Sequence, residues 1–248
     1  MEIQKYLERI HHQGSLAPTL QTLRALHQAH LLAVPFENLD IHLGREILLD
    51  QEAILAKVVE RRRGGFCYEL NSTFAWLLRA LGFQVDLLSA RVARADGGFS
   101  PEFDHLTLLV HLEEDWLADV GFGDSFRLPL RMQEGLIQEQ EWGRYRLEQE
   151  QSSWLMSVWT DGEWQPGYHF TLQPHVLSNF SAMCRYHQTS PESHFTQKRV
   201  CTIATPTGRV TLSEQRLIVT TREERTERLL TGQEAYSAAL AEYFGVVL

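Results

Sequence analysis

The sequence predicts an α+β fold. Apolar residues recur at helical spacing over about the first eighty positions, alternate at strand spacing from roughly 83 to 172, and mix the two periods beyond. The Asp161-Gly162 pair between two aromatic runs, SWLMSVWT and EWQPGYHFTL, is the strongest hairpin signal and marks the middle as an antiparallel sheet or small barrel. A chain of 248 residues with 44% hydrophobic content can bury a sizeable core in one to three domains.

Each element follows from local pattern. Ile3, Tyr6, Leu7 and Ile10 share one helical face. A second helix begins near Pro18, carries Leu20, Leu23, Leu26 and Leu31, and ends at Pro35, which cannot continue the hydrogen-bond ladder. Asp50 caps a third, from Asp50 to Arg62, whose face is Ile54, Leu55 and Val58. Gly64-Gly65 breaks the chain. A helix from about Cys67 to Leu81 follows, with Phe74, Leu77, Leu78 and Leu81 as its buried stripe and Gly82 just past its end.

After Gly82 the period changes. Val85, Leu87, Ser89, Arg91 and Ala93 share one parity, HLTLLVHL is strongly strand-like, and WLADVGF is a short apolar run ending in glycine. Pro174 to His187 reads as a short helix or covering segment. RVCTIATPTGRVTLSEQRLIVTT reads as further strands with a turn at Thr207-Gly208, and EERTERLLTGQEAYSAALAEYFG as a closing helical region. No repeat, low-complexity tract or linker interrupts the chain.

Several function classes are excluded. A net charge of -9 argues against affinity for polyanions through counterion release. No apolar run approaches the roughly 18 residues of a membrane span. The N-terminal MEIQKYLERIHHQG has no apolar core or cleavage site, so no secretory signal is expected. Three cysteines, Cys67, Cys184 and Cys201, are too few and too scattered for a disulfide framework or a zinc motif. The expected compartment is the cytoplasm, where a thiol stays reduced. His11, His12, His27 and His30 read as exposed helix turns, and His105 and His111 lack zincin spacing, so no metal site is expected.

Cys67 stands out among the thiols. The glycine pair places it at the start of an amphipathic helix, where unpaired N–H groups and the helix dipole favour a thiolate. A thiol nucleophile needs a histidine and a group to orient it. His105 opens the strand HLTLLVHL. Asp119 lies within an apolar strand, where a carboxylate is costly unless paired. On neighbouring strands the two would bond, leaving the other ring nitrogen for Cys67. Taken alone, Cys67 is equally a small buried thiol, His105 a strand-edge histidine and Asp119 a strand-end turn residue.

At these residues the chain resembles the arylamine N-acetyltransferase family. Pro35 to Leu39 (PFENL), Arg63 to Asn71 (RGGFCYELN), His105 to Val110 (HLTLLV) and Asp119 to Gly123 (DVGFG) are similar to four family blocks in order and spacing. The resemblance implies an N-terminal helical bundle (1–82), a central antiparallel β-barrel (83–188) and a C-terminal α/β lid (189–248), around a cysteine-protease-like Cys-His-Asp core. It implies Cys67 as nucleophile, His105 as base and Asp119 as its partner. It also implies acetyl-CoA as donor, without a metal, and an arylamine, arylhydrazine or N-arylhydroxylamine as acceptor. Two half-reactions at one sulfur give ping-pong kinetics.

Around that core, Phe36, Phe122 and Phe126 are candidates for the acceptor pocket; Phe36 reads equally as helix-end packing and Phe126 as core. Asp124 departs from relatives that carry a cation there, and would disfavour benzoate-like acceptors. Arg63 and Glu69 read as a buried pair fixing the Cys67 loop. Arg94 and Gly97 to Ser100 could meet CoA phosphates, but read more simply as a solvated hairpin. Two rival enzymes share the core: a papain- or transglutaminase-like hydrolase, whose signature GGFCYELN does not match, and an acyltransferase or amide synthase with another donor. A non-enzymatic binding protein would not need an ionised thiol.

Overall fold

The computed structural model describes residues 2–248. Helices α1 (Ile3–Arg9), α2 (Leu20–Ala33), α3 (Leu39–His42), α4 (Gln51–Leu55) and α5 (Cys67–Ala80) form the N-terminal layer, with the two-residue strand β1 (Phe36–Glu37) between α2 and α3. Asp50 accepts from the Ala53 N–H and caps α4, which runs on as a π-helical turn, Ala56–Glu60. Gly82, at φ +91, follows the end of α5.

Strands β2 (Gln84–Val92), β3 (His105–His111), β4 (Asp115–Ala118), β5 (Leu130–Arg131), β6 (Gln138–Gln140), β7 (Gly143–Glu150), β8 (Ser153–Thr160) and β9 (Glu163–His175) make one antiparallel sheet in the order β5-β4-β3-β2-β9-β8-β7-β6. A bridge between Glu134 and Leu147 brings the segment after β5 round to β7, nearly closing the barrel. Asp161 and Gly162 both take positive φ, the tight turn that joins β8 to β9.

β9 runs past Pro174, further than its sequence suggests, because its two prolines sit where the ladder is irregular. Pro166 lies at the bulge against Met156/Ser157 and Pro174 at the shift against Leu88/Ala90. The covering segment then starts with a 3-10 turn, Leu177–Phe180, and continues as α6 (Ser181–Thr189) and α7 (His194–Gln197).

β10 (Val200–Thr205), β11 (Gly208–Ser213), β12 (Arg216–Thr221) and β13 (Arg225–Leu229) form a second antiparallel sheet, followed by α8 (Gly232–Phe244). β13 corrects the helical expectation for EERTERLL. All five residues are exposed, and the strand pairs with β12 at the sheet edge, where Arg216 and Glu227 form an ion pair. Its charges are those that protect an edge from further pairing. β1 pairs with β10, Phe36 against Thr202, so the lid sheet is anchored in the N-terminal layer.

Strand alternation sorts the core. Leu87, Leu106, Leu108, Val110, Trp116 and Ala118 pack against Phe74, Leu77 and the other helices. Leu88, Leu109 and Leu117, of opposite parity, point into the barrel with Phe126, Tyr145 and Tyr168. His105 and Asp119 share the parity of Leu109 and Leu117, which aims both at the barrel interior next to α5.

Candidate active site

Cys67 is the first residue of α5 and is only 4% exposed. Tight backbone packing puts it there. A Cβ on Gly64 would lie 1.9 Å from the Pro35 carbonyl oxygen, and one on Gly65 2.5 Å from Glu69 Oε2. The glycine pair therefore answers a need for close approach. A Cβ on Gly121 would fall 2.8 Å from the Cys67 Cα, so the segment after β4 lies directly on the start of α5.

His105 Nε2 lies 2.7 Å from Asp119 Oδ2, and both side chains are buried. The other carboxylate oxygen, Oδ1, accepts from Asn71 Nδ2 at 2.9 Å and from the Gly121 N–H at 2.9 Å. Burial opposes the Asp119 charge, but His105 and these donors outweigh it, and the carboxyl is held below its usual range. Asp119 is therefore an anion whose lone pairs are aimed, with one oxygen left for His105. The ring's other nitrogen, Nδ1, is free of that bond. The Cys67 Sγ lies 4.0 Å from the carbonyl oxygen of Asp104, the residue before His105.

Asn71 is a site residue that the motif contained but whose role was not read. Its amide donates to Asp119 and to the Leu106 carbonyl (2.6 Å), and its oxygen accepts from the Val120 N–H (2.9 Å). It lies one turn after Cys67 on α5, so it locks the helix of Cys67 to the strand that opens with His105 and to the segment after β4 that carries Asp119.

Burial pushes the Cys67 thiol well up, and the Asp104 and Asp119 charges add to this.

His27 and His30 are also corrected: both are fully buried. They continue the face of Leu23 and Leu26, a spacing that marks them as inward-facing. His27 Nε2 accepts from the Asp119 N–H at 3.1 Å while Nδ1 donates to the Arg127 carbonyl at 2.9 Å, which defines its neutral tautomer. Burial lowers its pKa from 6.5 to about 4. The unfolded chain thus binds a proton that the folded one refuses over that window, and stability falls as pH drops through it. The loss from this group approaches about 3 kcal/mol by pH 4. His30 is lowered in the same direction by burial. The urea midpoint is expected to fall steadily from pH 6.5 to 4, and His27→Gln to flatten that slope; parallel profiles for the two proteins would contradict it.

Arg63 and Glu69 do not touch each other. Arg63 pairs with Glu37 (2.7 Å) and Asp40 (3.0 Å), while Lys57 joins Asp40 (2.7 Å) to Glu69 (2.8 Å). The result is a buried five-member chain of alternating charge beneath the Cys67 loop. Glu69 also accepts from the Phe66 N–H, closing the start of α5. Arg63→Ala leaves Glu37 buried and unpaired. It should cost about 3–5 kcal/mol in urea unfolding, whereas Arg94→Ala, at an exposed pair with Asp96, should cost under about 1 kcal/mol.

The aromatic candidates divide. The Phe122 ring lies 5.1 Å from His105 and 5.1 Å from Tyr168. Phe36 packs within 3.8 Å of the Cβ position of Gly123, whose φ is +87, and faces Phe195. Phe126 is barrel core, stacked on His27 and edge-on to Tyr145. Asp124 is 77% exposed and pairs with Arg209 of β11 at 2.9 Å, so its charge is offset. Gly97, at φ +86, turns an exposed hairpin that carries Arg94. Among the described residues, no cluster of three His, Cys, Asp or Glu is placed to hold a metal.

A buried thiol at a helix start, its sulfur 4.0 Å from the carbonyl oxygen of the residue before a histidine that bonds an oriented aspartate, suits both acyl-transfer and hydrolytic chemistry. The comparisons separate these. The N-acetyltransferase family model matches residues 19–248. The arylamine N-acetyltransferase / N-hydroxyarylamine O-acetyltransferase of Salmonella typhimurium is 43% identical over 197 residues, which is 77% of this chain and 68% of that one. The solved arylamine N-acetyltransferase from Salmonella typhimurium superposes with a TM-score of 0.94 at 35% identity, covering 98% of this chain and 90% of that one. The Mycobacterium marinum arylamine N-acetyltransferase in complex with CoA gives 0.91 at 32% identity, covering 99% and 93%. The chain belongs to the arylamine N-acetyltransferase family.

Proposed function

We propose that this enzyme moves an acetyl group from acetyl-CoA to an aromatic amine or hydrazine, or to the oxygen of an N-arylhydroxylamine, through an acetyl-thioester on Cys67. The observation that carries the reading is the buried 2.7 Å contact between His105 and Asp119 beside the start of α5. In this reading His105, held by Asp119 at Nε2, takes the Cys67 proton at Nδ1. A thiolate–imidazolium pair has no net charge, so a buried setting that penalises a lone thiolate tolerates it.

The thiolate adds to the thioester carbonyl of acetyl-CoA; the new C–S bond forms as the bond to CoA breaks, and His105 returns its proton to the CoA sulfur. An aromatic amine is uncharged near neutral pH and can then attack the acetyl-cysteine. His105 accepts the proton lost by nitrogen and passes it to the departing Cys67 sulfur. Phe122, against His105, would form one wall for the aromatic acceptor, and Phe36 another.

The proposal assigns the nucleophile to residues 1–82, the base and its partner to 83–188, and the cover to 189–248. No helix among the described residues is long and apolar enough to cross a membrane. Initial rates with acetyl-CoA and an anilide-forming amine such as 4-methoxyaniline test the reading. Parallel double-reciprocal lines are expected, because CoA leaves before the amine enters. Lines that intersect to the left of the axis would replace it with direct transfer in a ternary complex.

A further inference from the structure

The two faces of the lid sheet differ. Cys201, Ile203, Val210 and Leu212 form one apolar cluster with Leu240 and Phe244 of α8. The register of β1, β10 and β11 sets Phe36 opposite Thr202, Thr202 opposite Thr211, and Ala204 opposite Arg209, which puts these side chains on the other face. That second face meets the segment after β4. Phe36 lies against Gly123, and Arg209 Nε is 2.9 Å from Asp124 Oδ1. Arg209 therefore stands on the same wall as Phe36, one of the two rings assigned to the acceptor. Gly121, packed on the Cys67 Cα, is three residues before Asp124, so at most about 10 Å of chain separates Asp124 from the start of α5.

The donors of Arg209 are not used up. Its side chain is only 12% exposed, and Nη1 donates to Thr202 Oγ1 at 3.0 Å. The buried Nε–H is close to Asp124 but out of line with it, and makes no hydrogen bond. Asp124, 77% exposed, spends most of its carboxylate on solvent. A guanidinium in that position is held in place from behind. Arg127 of the barrel donates to the Thr205 carbonyl at 2.7 Å and to the carbonyl of Gly208, the residue before Arg209. Arg222 meanwhile takes up Glu141. Two guanidinium groups, Arg127 and Arg209, thus share the one carboxylate of Asp124, in a chain whose net charge is -9.

We propose that Arg209 selects the acceptor, pairing with an anionic substituent, such as a carboxylate para to the amine, on a ring held by Phe36 and Phe122. The inference deepens the proposed acetyl transfer and rests on it. An acceptor carboxylate has an unfilled, desolvated donor to meet, and charge-assisted hydrogen bonds of that kind are the strong ones. Asp124 competes with it for the same guanidinium from the solvent side. This reverses the exclusion of benzoate-like acceptors that Asp124 alone suggests. The phosphates of CoA carry charge of the same sign, so the two half-reactions must be measured apart.

The wild-type protein is first exposed to acetyl-CoA. Failure to acetylate Cys67 there sinks the proposed function, whereas a mark on Cys67 leaves the Arg209 inference to be judged alone. The acetyl-enzyme is then mixed with 4-aminobenzoate or with methyl 4-aminobenzoate, the same ring without the charge. The readout is the ratio of the two second-order rate constants for loss of the acetyl group, anion over ester. Arg209→Gln is expected to lower that ratio by about 10- to 100-fold. Asp124→Asn, which frees the guanidinium, is expected to raise it by about threefold or more. A purely structural role for Arg209 slows both acceptors alike, so an unchanged ratio in Arg209→Gln overturns the inference. If acetylation by acetyl-CoA slows in that variant while the ratio holds, the guanidinium serves the CoA phosphates instead, and the inference again fails. If Arg209→Gln does not fold, Asp124→Asn decides: a raised ratio supports the inference, and an unchanged or lowered one overturns it.

Discussion

Asp119→Asn should lower turnover by about 10³- to 10⁴-fold with the fold intact, a loss of roughly 4–5 kcal/mol of transition-state stabilisation. The hydrogen bonds say why so small a change is so costly. Oδ1 accepts from two N–H donors, Asn71 and Gly121. An amide at this position must keep its oxygen there, because turning its NH₂ toward them would set donors against donors. The NH₂ then faces His105 and donates to Nε2. The ring is forced to carry its proton on Nδ1, the nitrogen that has to receive the proton of Cys67. Geometry survives while the base is occupied. The expected signature is a collapse of the acylation rate with a nearly unchanged urea midpoint. A variant that retained more than about a tenth of wild-type turnover would show that Asp119 does not control the tautomer.

Cys67→Ser should be at least as severe, on the order of 10⁴-fold or more. A hydroxyl in the same place is far harder to ionise than a thiol, and the buried setting that already raises the thiol works against an alkoxide still more strongly. The sulfur's contact with the protein is a long one to the Asp104 carbonyl, so its replacement should scarcely disturb packing. Thermal stability close to wild type alongside absent turnover is the expected pairing. Full turnover in Cys67→Ser would end the covalent mechanism.

Much of this site was legible because its members lie where local pattern is strong. Cys67 follows a glycine break at the start of a helix whose stripe and terminating Gly82 agree. His105 opens β3 and Asp119 directly follows β4, where the alternation still fixes which way each points, so their meeting inside the barrel follows from parity once β3 and β4 pair. The Asp161-Gly162 turn was equally clear, since both residues must adopt positive φ and their identities permit it.

What was not legible depends on segments distant in sequence. From sequence alone Arg63 and Glu69 read as partners because they flank the same loop. Their true partners, Glu37, Asp40 and Lys57, come from β1, α3 and the π turn. One clue was available: Lys57 is one of three lysines and adjoins the apolar face of Ile54, Leu55 and Val58. Asp124 reads as an uncompensated rim charge until the lid sheet delivers Arg209 from β11. β13 reads as helix because its mixed basic and acidic residues, Arg225, Glu227 and Arg228, suit a solvated helix as well as an exposed edge strand, and only its pairing with β12 decides. The burial of His27 and His30 was available from their spacing with Leu23 and Leu26 and was outweighed by residue type alone.

In the proposed reaction the acetyl group rests on Cys67 between donor and acceptor. Intact-protein and peptide mass spectrometry after mixing with acetyl-CoA addresses this directly. The predicted result is a single added acetyl on the Cys67 peptide that disappears when an aromatic amine is supplied, with the N-acetyl product appearing in equal amount. Product formed without any acetyl mark on Cys67, or a mark there that persists unchanged while amine is being consumed, would contradict it.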